Sequence, residues 1–317
     1  MATILALHAW HAFVVSVKLA ASNHHKRITL INANFNLGRY LCDGKIVIGR
    51  PGAETIDVVS ESDDLPKMLA SPEQARRSIR QIPIDSAAIL APVDPRARIF
   101  AIAINYHAHG LEAKARPPER PLMFYKAPSN FVGHGGTLNP NKQLTKKFDY
   151  EGEIGVVIGS VCKGATIENA LDFVVGVCAL NDGSARDLSK VALGKAADAT
   201  ATLWPDWTAN KGLDGGSALG PTITCGPDVL AALKARTLTI TTRLNGAQVQ
   251  HESMKEMIFS TEEIIATLSS YMTLLPGDVI ATGTPAGVGV ARNRFLDTGD
   301  QLDIEVSGLE TLSLAVG

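Results

Sequence analysis

The rhythm that begins at Ile99 limits the fold more than any other feature of this chain. Short apolar runs (IFAIAINY, EIGVVIG, VVGVCALND, GPTITCG, LTITTRLNG and GDVIATGTP) follow one another with Gly and Pro between them. Runs this short, rich in Val, Ile and Thr and closed by turn formers, are strands rather than helices. Helical periods are few: 167 to 173, 227 to 233, and STEEIIATLSSYM from residue 260. In the last of these, Ser260 or Thr261 is the cap, and Glu262 and Glu263 face the first-turn N–H groups. The expected class is α+β and β-dominated, with closed or layered sheets.

Ahead of this lies a smaller strand-rich module, 27–95. RITLINANF reads as a strand, and LCDGKIVIGR as a hairpin turning on Asp43-Gly44. SPEQARRSIRQI reads as a helix capped by Ser71 with Pro72 at its first position, and the Pro-rich APVDPRARI at 91 to 99 is the join. Residues 1–26 stand apart. Ile4 to Ala21 is apolar but broken by His8, Trp10, His11 and Lys18, too mixed for a membrane span or a secretory signal. A helical or disordered extension is expected there. Mitochondrial targeting is the alternative, because no acid precedes Lys26.

Net charge is −2 with no basic or acidic block. Nucleic acid and anionic membrane are therefore not the expected partners, since counterion release needs clustered Lys and Arg. Cys42, Cys162, Cys178 and Cys225 are widely spaced without a C-x-x-C pair. They read as buried thiols in a reducing compartment, the cytoplasm, and not as a zinc site.

The chemistry gathers in three places. Asp149, Glu151 and Glu153 alternate at the head of the apolar IGVVIG, so one continuous strand would put all three carboxylates on one face. Acids crowded where a strand enters the core repel each other and resist dehydration, and a hard divalent cation relieves both. A solvated edge strand with spare acids is the ordinary alternative. Asp182 ends the apolar FVVGVCAL and adds a fourth acid; an Asx turn or neutralisation by Arg186 would also explain it.

Secondly, NYHAHGLE follows the strand IFAIAI and sets His109 and Glu112 at i, i+3. One helical turn brings them together, and a Glu fixes the tautomer and raises the basicity of a water-activating His. A surface His–Glu pair is the plainer reading. Thirdly, ATGTPAGVG at 281 to 289 lacks the signatures of a nucleotide loop. It can still bring backbone N–H groups and the Thr284 hydroxyl to an anion, or simply be a tight turn.

Together these segments resemble the fumarylacetoacetate hydrolase family. The matching stretches are NYHAHGLE (105–112), RPLMFYKAPSNFVG (120–133), DYEGEIGVVIG (149–159) and VVGVCALNDGSARDLS (174–189). WTANKGLDGGSALGP (207–221), RLNGAQVQ (243–250), LLPGDVIATGTPAGVG (274–289) and LDTGDQLDIEVSGL (296–309) continue it, in order, across 96–317. The resemblance implies a mixed β-roll catalytic domain at 96–317, usually a homodimer, holding Mg²⁺, Mn²⁺ or Ca²⁺. It puts the metal carboxylates on Glu151, Glu153 and Asp182, the lid pair on His109 and Glu112, and the active-site lysine on Lys211. Tyr106, Lys126, Arg186 and Thr284 become the substrate contacts, with Asp149 beside the site.

The implied substrate is a small 2-oxo or 1,3-dicarbonyl acid. The expected reaction is hydrolysis of a carbon–carbon bond in a β-dicarbonyl or acylpyruvate-type acid, with His109 activating water and Lys211 stabilising the oxyanion. Decarboxylation or keto–enol tautomerisation of oxaloacetate is the alternative on the same site. A non-catalytic metal- or ligand-binding homologue is the reading from another class, and His109, Glu112 and Lys211 argue against it. The chain departs from the family pattern at Ser189, where Gln is common, and at Gly215, where Thr is common. It also departs in the long link 190–206, expected to reshape the pocket mouth.

Overall fold

The computed structural model describes residues 33–139, 141–193 and 202–317. The expected extension at 1–26 lies outside the described residues, as do residues 27–32 of the first expected strand. In chain order the strands that matter are β1 (Phe35–Cys42), β2 (Lys45–Pro51), β3 (Thr55–Ser60), β4 (Arg80–Pro83), β5 (Ile99–Ala103), β6 (Leu122–Lys126), β7 (Gly152–Ile158) and β8 (Val174–Asn181). They continue with β9 (Ser217–Cys225), β10 (Thr239–Leu244), β11 (Ala247–Ser253), β12 (Val279–Ala281), β13 (Gln301–Val306) and β14 (Leu312–Val316). The helices used below are α1 (His107–Glu112), α2 (Trp207–Lys211), α3 (Pro227–Lys234) and α4 (Thr261–Tyr271).

The large sheet runs β4-β3-β2-β1-β9-β8-β7-β12-β5-β6. Its neighbours along this order are antiparallel, except that β12 lies parallel to β5. Phe131–Val132, just beyond β6, returns to pair with β9, so the strands from β9 to β6 curl back on themselves as a roll. A second sheet, β11-β10-β13-β14, is finished by Thr137–Leu138. The chain is strand-dominated, as its sequence requires, and β1 pairing with β9 joins the N-terminal strands to the same large sheet.

Alternation along β7 feeds two cores. Ile154, Val156 and Ile158 pack with Ile240, Leu302, Ile304 and Leu312 of the second sheet. Val157 points the other way, into the roll, with Ile99, Cys178, Leu180, Leu219 and Val279. Each fully buried Ile or Val contributes about 1.5–3 kcal/mol, which the backbone entropy of ordering these short strands largely offsets. The four thiols are buried and free, as their spacing suggested.

Local expectations met the structure unevenly. Asp43 and Gly44 both take positive φ, 49° and 72°, the backbone of a two-residue hairpin turn. Ser260 and Glu263 form a complete capping box at the start of α4. The helix expected from Ser71 stops at Ala75, and Ser71 makes no side-chain cap bond. Pairing with β3 instead extends Arg80–Pro83 and buries Ile82, which a longer helix would not do. Of the helix expected at 167 to 173, only a 3₁₀ turn at Ala170–Phe173 forms. The strand expected to run unbroken from Asp149 is also corrected. Phe148–Asp149 pairs with Ser184–Ala185, and β7 begins only at Gly152.

Candidate active site

Strand direction assembles the site. Because β12 and β5 are parallel, the Gly-rich loop after Ala281 and the entry to α1 after Ala103 leave the sheet at the same end. Antiparallel β7 starts there, bringing Glu151 and Glu153, and β8 finishes there, bringing Asp182. Gly152 separates the two glutamates for a steric reason: a Cβ on it would lie 2.1 Å from Thr242 Oγ1 of β10.

Glu151, Glu153 and Asp182 are buried, and each offers one oxygen within 4.8 Å of the others, so the three could hold a metal ion. Lys211 stands among them, its Nζ donating to Glu151 Oε2 and Asp182 Oδ2, both at 2.6 Å. Asp206 presents this lysine by accepting the Ala209 N–H at 2.9 Å, which caps α2. Stacking of Trp207 on Phe124, centroids 4.7 Å apart, holds α2 to β6.

Lys126 reaches in from β6. Its Nζ lies 2.6 Å from Asp182 Oδ1 and donates to the Lys211 carbonyl, also at 2.6 Å. Asp182 Oδ1 is thus held by a buried ion pair with the Lys126 ammonium. Arg186 pairs with Asp149 through Nε, at 2.8 Å, and with Glu151 through its terminal nitrogen.

These charges do not balance. Asp149, Glu151, Glu153 and Asp182 face three cations: Lys126, Lys211 and Arg186. Burial alone would push Glu151 up, but Lys211 and Arg186 overcome it, with His109 adding to them, and hold its carboxyl well below the usual range. Glu153 goes the other way. Burial and then the neighbouring Asp182 and Glu151 charges push it well above its ordinary value, which Lys211 and the Gly283 N–H only partly oppose. Burial lowers Lys126 despite Asp182, whereas Asp182 and Glu151 outweigh burial and raise Lys211.

The second component is α1. His109 Nδ1 lies 3.3 Å from Glu112 Oε2, and both Glu112 oxygens accept the Gly287 N–H, at 2.9 and 3.1 Å. Burial opposes ionisation of Glu112, yet the His109 and Gly287 hydrogen bonds hold its carboxyl below the usual range. Tyr106 is fully buried, with a hydroxyl that has no hydrogen-bond partner, and burial followed by the Glu153 charge raises it. Thr284 is buried too, donating to the Gly152 carbonyl and accepting from Gln250 Nε2, both at 2.8 Å.

Sequence reasoning overlooked the ties that three residues make between these parts. Gln250 accepts the Gly152 N–H and donates to Thr284 Oγ1 and the Pro285 carbonyl, tying β7 to the Gly-rich loop. Asn105 Nδ2 donates to the Thr282 carbonyl at 2.7 Å, and its Oδ1 accepts the Phe259 N–H. Asp149 accepts from the Gly289 and Val290 N–H groups. A buried amide beside a turn and a Gly-rich loop was the only available signal.

The link expected to alter the pocket mouth contains a two-stranded hairpin, Lys190–Leu193 with Thr202–Pro205. Val191, Leu203 and Trp204 on it are exposed, and residues 194–201 lie outside the described residues. Elsewhere, a cavity of about 700 Å³ is lined by Phe100, Leu122, Phe124, Tyr125, Tyr271 and Met272 among others, and includes none of the carboxylates. Acid–base groups converge in the charged cluster rather than in this hollow, which makes the cluster the candidate site. Among the described residues, no helix is long and apolar enough to cross a membrane.

Comparison with known proteins shows what the chain is similar to. The family profile described as fumarylacetoacetate (FAA) hydrolase C-terminal matches residues 98–316. The Bacillus subtilis oxaloacetate tautomerase YisK is 37% identical over 72% of this chain and 72% of its own. The mitochondrial oxaloacetate tautomerase fahd2 of Xenopus laevis is 36% identical over 71% of this chain and 67% of its own. Among solved structures, a fumarylacetoacetate hydrolase from Exiguobacterium antarcticum superposes with a TM-score of 0.72 at 30% identity, covering 89% of this chain and 99% of that one.

Proposed function

The chain belongs to the fumarylacetoacetate hydrolase family, and from that premise we propose that it catalyses keto–enol tautomerisation of oxaloacetate or a closely similar 2-oxo dicarboxylic acid. The observation that carries this reading is the His109–Glu112 pair, locked to the Gly287 N–H at the end of the sheet where the three carboxylates meet. Two relatives bearing the tautomerase name support it over the hydrolysis expected from the resemblance.

Three carboxylates with oxygens within 4.8 Å of one another, and a buried Glu153 that no basic side chain pairs with among the described residues, fit a hard divalent cation such as Mg²⁺, Mn²⁺ or Ca²⁺. Held by Glu151, Glu153 and Asp182, such an ion would supply Lewis-acid stabilisation of negative charge on the 2-oxo acid oxygens. The proton chemistry falls to the chain. His109 takes the proton from C3, and return of a proton at the C2 oxygen completes the enol; the reverse order restores the ketone. Glu112 orients the imidazole. Lys211, Lys126 and Arg186 provide positive charge for the substrate carboxylates, with Tyr106 and Thr284 completing the contacts.

Hydrolysis of an acylpyruvate-type acid is the second reading. The likeness to the fumarylacetoacetate hydrolase structure from Exiguobacterium antarcticum favours it. We carry the homodimer implied by the family with this proposal, to be tested by light scattering. Following the enol absorbance of oxaloacetate with Mg²⁺ and then with chelator, while NMR identifies products from oxaloacetate and an acylpyruvate, tests the function. Faster enol–keto exchange without carbon loss supports it. Exchange at the uncatalysed rate, or carbon–carbon cleavage alone, overturns it.

A further inference from the structure

The loop 287–290 grips two carboxylates at once. Gly287 N–H donates to Glu112, the partner of His109. Two residues on, Gly289 N–H donates to Asp149 Oδ1 at 2.6 Å and Val290 N–H to Oδ2 at 3.0 Å. Asp149 is fully buried, and its oxygens are fully used. Oδ1 also accepts the Tyr150 N–H at 2.9 Å, and Oδ2 the Arg186 Nε–H at 2.8 Å. Arg186 then passes its other arm to Glu151. Tyr150 adds a further tie, its hydroxyl donating to the Gly287 carbonyl at 3.0 Å.

We infer that Asp149 is a positioning residue that sets the His109–Glu112 pair against the Glu151, Glu153 and Asp182 carboxylates. It acts through the loop in one direction and through Arg186 in the other. Only an acceptor-only side chain serves here, because four donors converge on it from three separate segments. An amide in its place turns an N–H₂ toward two donors, so one side of the clamp opens. This inference rests on the proposed function only for its kinetic arm; the mechanical arm stands without it.

The test is Asp149→Asn, read first by hydrogen exchange on metal-free protein. Peptides covering 107–113 and 285–292 are expected to lose protection together, while Val174–Asn181 keeps its own. Turnover of oxaloacetate then falls, on the order of 10–100-fold as for residues that orient a site's ligands, with KM little changed. Looser exchange at 285–292 with α1 as protected as in the wild type would overturn the inference, and so would wild-type turnover. If the Asn variant fails to fold, Glu112→Gln decides from the other end: faster exchange at Gly289 and Val290 supports the clamp, and unchanged exchange refutes it. A wild-type protein inert toward oxaloacetate would sink the functional reading alone, and the exchange result would still decide the role of Asp149.

Discussion

Glu153 accepts a single hydrogen bond among the described residues, from the Gly283 N–H at 2.8 Å, and no basic side chain pairs with it. Its neighbours Glu151 and Asp182 share Lys211, and Glu153 is left over. A buried carboxylate in that position wants either a proton or a cation.

Glu153→Gln should therefore separate binding from folding. Loss of a ligand charge is expected to weaken Mn²⁺ binding by more than roughly 100-fold, beyond what loss of an outer contact causes. The metal-free variant should melt higher than the metal-free wild type, by about 2–4 °C for each kcal/mol of repulsion removed. Calorimetric titration and thermal melts check both. An unchanged Mn²⁺ affinity would remove Glu153 from the site.

The pH dependence of the metal-free protein follows from two opposite shifts. Glu153 is raised in the folded state, so its contribution is fully present below the ordinary glutamate value of 4.5 and is lost as pH rises through the higher folded value. Glu151 and Glu112 are lowered, so theirs is present above 4.5 and lost as pH falls toward their folded values. Melting temperature in chelator should pass through a maximum in mildly acidic buffer. Saturating Mg²⁺ should abolish the decline on the alkaline side, and a decline of equal slope with Mg²⁺ present would contradict the assignment.

His109→Ala should leave divalent affinity within a few-fold of wild type and lower turnover on the order of 10²–10⁴-fold, the usual loss for a general base. Stopped-flow measurement of enol decay beside a Mn²⁺ titration distinguishes the two effects. Full turnover would take the base away from His109.

Lys211→Met removes the ammonium that bridges Glu151 and Asp182. Breaking a buried pair on one side costs about 3–5 kcal/mol, because the partner charges stay behind. The metal-free variant should melt lower than wild type, and its gain in melting temperature on adding Mg²⁺ should be the larger of the two. Equal gains would mean that the ammonium and the ion do not relieve the same repulsion.

Gln250→Leu keeps the bulk but deletes three hydrogen bonds between Gly152, Thr284 and Pro285. A destabilisation of about 1–3 kcal/mol is expected from the polar groups left unpaired. Denaturant melts measure it, and a neutral result would show that the loop holds without this amide.

The acids of the cluster were legible in the sequence because each stood at the end of an apolar strand, where an unpaired charge demands explanation. His109 and Glu112 were legible because i, i+3 spacing is a local relation, and the capping box of α4 for the same reason. What spans the chain was not. Nothing in GAQVQ says that Gln250 will meet Gly152, because that contact depends on which strands of two sheets face each other. Asp149 was read as one more acid on a strand, but the chain breaks at Tyr150 and turns it toward Arg186 and the loop. The helix from Ser71 failed where pairing with β3 offered the backbone a better set of partners than its own turn.

Parallel pairing of β12 with β5 joins residues whose codons lie far apart. A ribosome that has made His109, the paired glutamates and Asp182 has still not made the Gly283 N–H or Gly287 that restrain them. A nascent or truncated chain ending before Val279 carries every acid of the centre and none of the loop that orders it, so it has no means of displaying a competent site. Such a fragment would hold the carboxylates without the hydrogen bonds that the Gly283 and Gly287 N–H groups give to Glu153 and Glu112.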